Sequence, residues 1–306
     1  MILKKIIKGL RNPKKILLYL LIKTAKLWPD SLFLCLRFKY EMGYKLDLKH
    51  PRTFGEKLQW LKLYNRKPEY TTMVDKYTVK DFVANKIGAE YIIPTIGVWD
   101  KPEDIDWDAL PNQFVLKTTH GGGGGGVVVC KDKSSLDKQD AISKLSRSLN
   151  SDIYWNYREW PYKNVSKRII AEQYMVDSSG IELKDYKFFS FNGRVEFFKI
   201  DFDRFIDHKA NYYDREKNLL PFGEAAFPPS SSKQLEMPQN LDQMIILAEQ
   251  LSKDLPFLRV DFYNINTKIF FGELTFFPSS GMTRFEPEEW NYKLGMYLKL
   301  PEKNQL

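Results

Sequence analysis

The sequence predicts an α+β protein, and three observations carry that expectation. Two β-prone runs, Phe114-Val115-Leu116 and Val127-Val128-Val129, bracket six consecutive glycines. Two further segments read as hairpins. KDYKFFSFNG with RVEFFKID turns at Asn192-Gly193, and FLRVDFYNI with KIFFGELTF turns near Asn264 to Thr267. Other stretches place apolar residues at helical spacing, as at Phe54, Leu58, Leu61 and Tyr64.

The 306 residues suit one large domain or two to three subdomains, and 43% hydrophobic content is ample for a core. Cys35 and Cys130, far apart, offer neither a disulfide framework nor metal spacing and point to a reducing compartment. The three histidines (His50, His120, His208) form no metal-type pair. The net charge of +8 is uneven: residues 1–40 carry ten Lys/Arg and one acid, leaving the remainder near −1. A nucleic-acid footprint over the body is therefore not expected.

Residues 1–45 read as a basic amphipathic helical arm, broken at Asn12-Pro13. Its longest apolar run, Ile16 to Ile22, has seven residues, against the roughly 20 a spanning helix needs. No small-residue cleavage site follows, which argues against a secretory signal. Basic and apolar faces together suit an anionic membrane surface. A helical cap packed on the body with a solvated basic face fits the same residues. Region 46–112 opens with a capping box at Thr53 and Glu56. It continues with a helix ending at Gly88, and a strand over Tyr91 to Ile93. Lys76 stands at that helix's start. Region 113–176 contains the glycine hairpin, a polar helix within Lys133 to Leu149, and a strand, RIIAEQYMV. Region 177–306 contains the remaining hairpins, a loop at Pro228-Pro229 and a helix over Leu241 to Leu251.

The glycine hairpin carries the first chemical signal. Lys117 and His120 precede Gly121, Gly122, Gly123, Gly124, Gly125 and Gly126, and a strand follows. The phosphate loop of nucleotide-hydrolysing enzymes has the opposite order, with GK[ST] after the glycines and then a helix. Strand, lysine, glycine loop, strand is instead a hairpin that closes over a nucleotide as a lid. Glycine N–H groups can fold close to an anion, and lysine supplies a point charge. A plain flexible hairpin tip has the same composition.

The second signal is acidic. Asp261 and Glu273 lie on the two strands of the last hairpin, which can bring them to one end and face. Two carboxylates aimed together are costly unless they hold a cation, and Mg²⁺ takes carboxylates with phosphate oxygens. Solvent-facing acids of edge strands are the other reading. Asp185 and Lys187 share a strand face by period two. The loop after Asp201 gathers Arg204, His208, Lys209 and Asn211. In YWNYREWPYKN, aromatic and basic groups alternate around Arg158, as packed aromatics with surface charges or as a grip on a sugar or carboxylate.

In order, Lys76, Lys117 with its glycines, Glu172 in Glu-x-Tyr, and the Asp261–Glu273 pair resemble the ATP-grasp superfamily over about residues 70–285. RVDF…GELTFFPSSGMT is similar to the metal-binding end of D-alanine–D-alanine ligases, with Thr275 where their asparagine stands. FGEKLQWLKLY, LPNQFVLKTTH, REWPYKN, LKDYKFFSFNG, DRFIDHKANYYD and RVDFY…GELTF together resemble the TupA-like ATP-grasp family over about residues 45–302. The six-glycine run is longer than the His-Asp-Ser-Gly-Gly loop associated with that family.

The resemblance implies an ATP-grasp fold, two α+β subdomains enclosing the nucleotide, with the helical basic arm in front. It implies ATP-dependent carboxylate–amine ligation through an acylphosphate, in bacterial surface polysaccharide or teichuronopeptide synthesis. An amino acid or amine would be joined to a glycan. Lys76, Lys117, His120, the glycines, Glu172, Tyr174 and Asp185 would then hold ATP. Asp261, Glu273 and Thr275 would hold Mg²⁺. Arg259, Arg204, His208 and Lys187 would act in catalysis, with Arg158 and Asn211 on the acceptor side. A cytoplasmic protein, peripheral on the inner face of the membrane, is the expected setting. The competing reading is a metal-dependent glycosyltransferase using Asp201-Phe-Asp203 as a D-x-D, and the third is a non-catalytic scaffold.

Overall fold

A computed structural model of the chain describes residues 13–122, 125–176, 183–203, 207–233 and 235–302. Its helices are α1 Pro13–Lys23, α2 Asp30–Met42, α3 Phe54–Tyr64, α4 Glu69–Val74, α5 Val79–Ile87, α6 Lys138–Leu149, α7 Ile153–Tyr157, α8 Leu241–Ser252 and α9 Glu289–Tyr297. Strands β1 Thr95–Trp99, β2 Phe114–Thr118, β3 Val127–Cys130 and β4 Ile169–Gln173 make a small antiparallel sheet, ordered β1-β4-β2-β3. Strands β5 Asp185–Phe191, β6 Arg194–Phe202, β7 Lys209–Asp214, β9 Phe257–Ile265 and β10 Lys268–Thr275 make a larger one, ordered β10-β9-β5-β6-β7. Strands β8 Gly223–Glu224 and β11 Phe285–Glu286 form a short ribbon.

Local chemistry sets many of these boundaries. Thr53 and Glu56 form the expected capping box of α3, and Gly88 ends α5 at φ +126°. Asn192 and Gly193 turn the β5–β6 hairpin with φ of 51° and 81°, as its right-handed twist requires. The β9–β10 turn does the same at Asn266 and Thr267, φ 50° and 65°. The strand expected at Tyr91 to Ile93 is instead a 3-10 turn at Ala89–Tyr91 followed by Pro94. The strand begins after the proline, at Thr95, where backbone N–H groups can again pair with β4. The small sheet therefore reaches back to Thr95, outside region 113–176.

Each sheet has its own core. Phe114, Leu116, Ile169 and Ala171 of the small sheet pack with Ala141 and Leu145 of α6. On the large sheet Phe198, Phe188 and Val260 stand directly opposed across β6, β5 and β9. They belong to the large buried cluster that includes Met244, Ala248 and Leu251 of α8. Burying one such side chain is worth about 1.5–3 kcal/mol. The opposite face of this sheet starts as an aromatic floor, with Phe189 and Phe197 stacked at 4.7 Å, and then turns polar. That polar half is the site.

The described part of the arm is packed on one side. Leu21, Ala25 and Phe33 are buried against Trp155. Residues 1–12 of the arm lie outside the described residues. Among the described residues no helix is long and apolar enough to cross a membrane.

Candidate active site

One cross-strand row organises the polar face. Glu273, Asp261, Lys187, Lys199 and Tyr212 are successive register partners on β10, β9, β5, β6 and β7. Opposed residues in an antiparallel sheet share a face, so all five side chains rise on the same side. Glu273 joins them only because β10 carries a bulge between Phe271 and Glu273. Regular pairing from the turn would set Gly272 opposite Asp261 and send Glu273 to the α8 side. The extra residue reverses that.

The row is tied by ion pairs. Lys187 Nζ lies 2.9 Å from Asp185, 3.2 Å from Asp261 and 3.4 Å from Asp201. Arg259 donates through Nε and Nη2 to the two oxygens of Asp261, each at 2.7 Å, and through Nη2 to Glu273 at 2.6 Å. The Thr275 hydroxyl donates to the same Glu273 oxygen at 3.1 Å. His208 Nε2 lies 3.0 Å from Asp201 with its ring 4.2 Å from that of Phe227. Burial works against the charges of Lys187 and Arg259, but the surrounding carboxylates, Asp261 first, outweigh it and raise both pKa values. Burial likewise presses the Glu273 carboxyl up, and Arg259, Lys76 and Lys187 more than offset it.

The small sheet contributes cations and the lid. Lys117 on β2 and Lys80 on α5 grip opposite oxygens of Glu172 on β4, at 2.5 and 2.6 Å. Those two lysines hold Glu172 below the usual carboxylate range although burial pushes the other way. Lys76 Nζ donates to the Gly121 carbonyl at 2.5 Å, tying the lid root to the start of α5. Burial lowers the Lys76 pKa, and Glu273 of the large sheet is the strongest charge opposing that. Lys76, Lys80, Lys117 and Glu172 line a cleft whose other wall is Phe271 and Gly272 of β10. Side chains fill it to about 10 Å³ of free space. Gly121 and Gly126 lie tight against Thr118, whereas Gly122 and Gly125 are open, and Gly123 and Gly124 lie outside the described residues.

A second cavity of about 180 Å³ opens beside Arg259. Lys187, Lys199, Tyr212 and Glu224 supply its polar lining, with Phe189, Phe227 and Phe285 between them. One wall is the bend Pro278–Gly281, where Ser279 and Ser280 have φ of 46° and 56°. Buried Lys62 pins that bend, donating to both the carbonyl and the hydroxyl of Ser280 at 2.8 Å.

Asp185, Lys187, His208, Arg259, Asp261, Glu273 and Thr275 thus come together on the large sheet, and Lys76, Lys117 and Glu172 across the cleft. Tyr174 sits one residue past β4, half-buried. Arg204 lies outside the described residues. Three expected site residues are placed elsewhere. Arg158 is wholly buried beneath the arm, 2.8 Å from Asp30 and bonded to the Ala25 and Trp28 carbonyls. Its charge holds the arm down and does not reach the cleft. Asn211 is fully buried, donating to the Ser230 carbonyl and accepting from the Ser230 N–H, both at 2.9 Å. It latches the Pro228–Ser232 loop and has no amide group left for a substrate. His120 turns under the lid, its Nε2 3.2 Å from the Ser148 carbonyl, and burial lowers its pKa. The two acids of the D-x-D reading face different partners. Asp201 takes Lys187, Lys199 and His208, while Asp203, past the end of β6, pairs with Lys233 at 2.5 Å.

Sequence reasoning missed Lys80, Lys199, Tyr212 and Glu224. Lys80 had a signal, standing four residues after Lys76 in the stretch the sequence reads as one helix, although Lys76 lies in the turn before α5. Lys199 and Tyr212 are found only through register, and Glu224 through the two-residue ribbon β8–β11.

A small sheet with a lysine-and-glycine lid, facing a carboxylate hairpin on a larger sheet, defines a nucleotide-clasping ligase fold. The sequence matches the TupA-like ATP-grasp family over residues 56–299, and the chain belongs to that family and is an ATP-grasp ligase enzyme. No curated protein matches the sequence. Among solved structures it is similar to D-alanine–D-alanine ligase from Helicobacter pylori (14% identity, 81% of this chain and 69% of that one, TM-score 0.44). It is also similar to D-cycloserine synthetase (14%, 74% and 69%, TM-score 0.41). The D-alanine–D-alanine ligase of Bacillus anthracis complexed with ATP is matched at 16% identity, 67% of this chain and TM-score 0.37. The chain spans 53% of that protein, about half its length.

Proposed function

We propose that this enzyme joins a carboxylate to an amine at the expense of ATP, through an acylphosphate, in bacterial surface polysaccharide assembly. One observation carries the reading: the lysines under the glycine lid share a cleft with Phe271 and Gly272 of β10, and the next residue, Glu273, is close enough to act on the Lys76 charge. ATP would enter as Lys76 and Lys117 swing from Gly121 and Glu172 onto its phosphates, with Glu172 and Tyr174 at the adenine. Folding the Gly121–Gly126 lid over it excludes water from the intermediate.

The first substrate's carboxylate oxygen attacks the γ-phosphorus, and the β–γ bridging bond breaks with its electron pair leaving on ADP. Arg259 and Lys187 neutralise the two anions as they meet, so positioning and charge supply most of the catalysis. The amine nitrogen then attacks the acyl carbon, phosphate leaves, and a proton passes to solvent. Asp185 keeps Lys187 in place, and His208, held by Asp201, lies on the acceptor side.

The residues present fit a divalent cation. Asp261 and Glu273 are opposed, Thr275 adds a hydroxyl, and one Glu273 oxygen has no partner among the described residues. No group of three His, Cys, Asp or Glu converges among the described residues, so the protein offers the two carboxylates that Mg²⁺ takes beside phosphate oxygens. Bound there, Mg²⁺ would neutralise charge on the β- and γ-phosphates. The arm supports a setting on an anionic membrane surface, where a lipid-linked glycan acceptor would be met.

Glu273→Gln tests the metal assignment. It is expected to stay folded by circular dichroism and to lose Mg-ATP turnover by about 10²-fold or more. Wild-type turnover in the folded variant would remove Glu273 from the metal site.

A further inference from the structure

We infer that the 180 Å³ cavity binds a free α-amino acid, and that its carboxylate is the group ATP activates. This rests on the ligase reading above and specifies which of the two substrates the protein encloses.

Size is the first constraint. The cavity has room for several waters and therefore for a small ligand. An amino acid fits, whereas the bulk of a sugar nucleotide or a lipid-linked glycan would lie outside.

Chemistry at the two ends is the second. Arg259 and Lys187 border the end next to Asp261 and Glu273, and such cations accept a carboxylate. At the other end stands Glu224, 8% exposed. Both of its bonded partners, the Tyr212 hydroxyl at 2.5 Å and Lys199 Nζ at 2.8 Å, meet the same oxygen, Oε1. Its Oε2 has no partner among the described residues, although the residue lines the cavity. That leaves Oε2 as the acceptor available on the cavity side, and an ammonium is a charge-assisted donor for it. Phe189, Phe227 and Phe285 line the space between. A simple carboxylic acid would bring no donor to Glu224 Oε2, and a simple amine would bring no acceptor to Arg259 Nη1, which the ion pairs with Asp261 and Glu273 leave over. A zwitterion satisfies both.

Span is the third. Lys187 and Tyr212 stand two strands apart in one row, about 10 Å at ordinary strand spacing. Two hydrogen bonds of about 2.9 Å each, with the few ångströms between the ammonium and carboxylate of an α-amino acid, fill that distance. The amide then has a direction: the enclosed amino acid supplies the carbonyl, and the larger partner outside supplies the nitrogen.

Hydroxylamine replaces the unknown amine in the test. The amino acid's carboxylate oxygen bonds to the γ-phosphorus and ADP leaves; hydroxylamine nitrogen attacks the acyl carbon, phosphate leaves, and a hydroxamate remains. The full chain is incubated with Mg-ATP, hydroxylamine and each protein amino acid in both L and D forms, and separately with the matching desamino acids. ATP binding is read in parallel by calorimetry. Hydroxamate from at least one amino acid, at least tenfold above its desamino analogue, is the expected result. Glu224→Gln should raise the KM for that amino acid at least tenfold with ATP affinity unchanged. If the wild type binds ATP but makes hydroxamate from desamino acids equally well, or from no amino acid, the inference is overturned and the ligase reading stands. Failure to bind Mg-ATP overturns the ligase reading itself.

Discussion

Arg158 is closed off on every side. Asp30 forms an ion pair with its Nε side, the Ala25, Trp28 and Trp155 carbonyls take its Nη donors, and its guanidinium lies 4.1 Å from the Phe33 ring centroid. Asp30 responds in kind: burial pushes its carboxyl up, but Arg66, Tyr154 and Arg158 outweigh that and hold it below the usual range. Removing one member of such a buried set strands the others, at a cost of about 3–5 kcal/mol. Arg158→Ala should therefore lower urea stability by that order while leaving the KM values of the folded enzyme within a few-fold of wild type. A large KM change at wild-type stability would return Arg158 to the substrate. At this scale the sequence showed which residues carry charge, and their partners were hidden. Arg158 and Asp30 are far apart in the chain, as are Asn211 and Ser230. A motif of mixed aromatics and cations reads the same whether its charge meets a ligand or a distant aspartate.

The lid and the acidic hairpin make the same point with elements. Both hairpins were legible, because β-prone runs and turn chemistry act over a few residues. Lys117 and Glu172 were legible as chemistry, but the pairing of Glu172 with Lys80 required α5 to lie where that side chain reaches Ile93, Thr95 and Glu172. The lid root depends on close approach. A Cβ on Gly126 would collide with the hydroxyls of Ser148 and Thr118, which are locked by their own 2.7 Å hydrogen bond, whereas one on Gly125 meets nothing within 4 Å. Gly126→Ala is expected to cost about 1–3 kcal/mol in thermal or urea unfolding. Gly125→Ala should stay within about 0.5 kcal/mol. Equal effects would show that the root is not packed as described. In β10 the single extra residue at Gly272 decides the function of the hairpin, because strand alternation turns a one-residue shift into a change of face.

Over the whole molecule, the arm combines an inner face tied to the body with an outer one that is apolar and basic. Leu17, Leu20, Leu27 and Leu32 are 67, 52, 81 and 44% exposed, among Lys14, Lys15, Lys23 and Lys26. Basic residues near an anionic bilayer contribute about 1 kcal/mol each, and apolar insertion adds to that. The protein should float with vesicles rich in anionic phospholipid and not with zwitterionic ones, and Leu17→Glu/Leu27→Glu should abolish flotation. Equal partitioning of wild type and variant would sink the membrane reading. Point variants are the right probe, because cutting the chain at residue 41 would also remove Asp30 from Arg158.

The amino-acid order alone determined the α+β class, the glycine hairpin with Lys117, the place of Asp261 and Glu273 on one hairpin, and the family. These depend on composition, short-range periodicity and motif order, all of which are local. Tertiary structure decided which charges are free for a substrate, which face Glu273 takes, and that Lys199, Tyr212 and Glu224 enclose a cavity. Those outcomes turn on strand register and on ion pairs closed between distant segments, where one bulge or one buried partner reverses the role that a residue's chemistry permits.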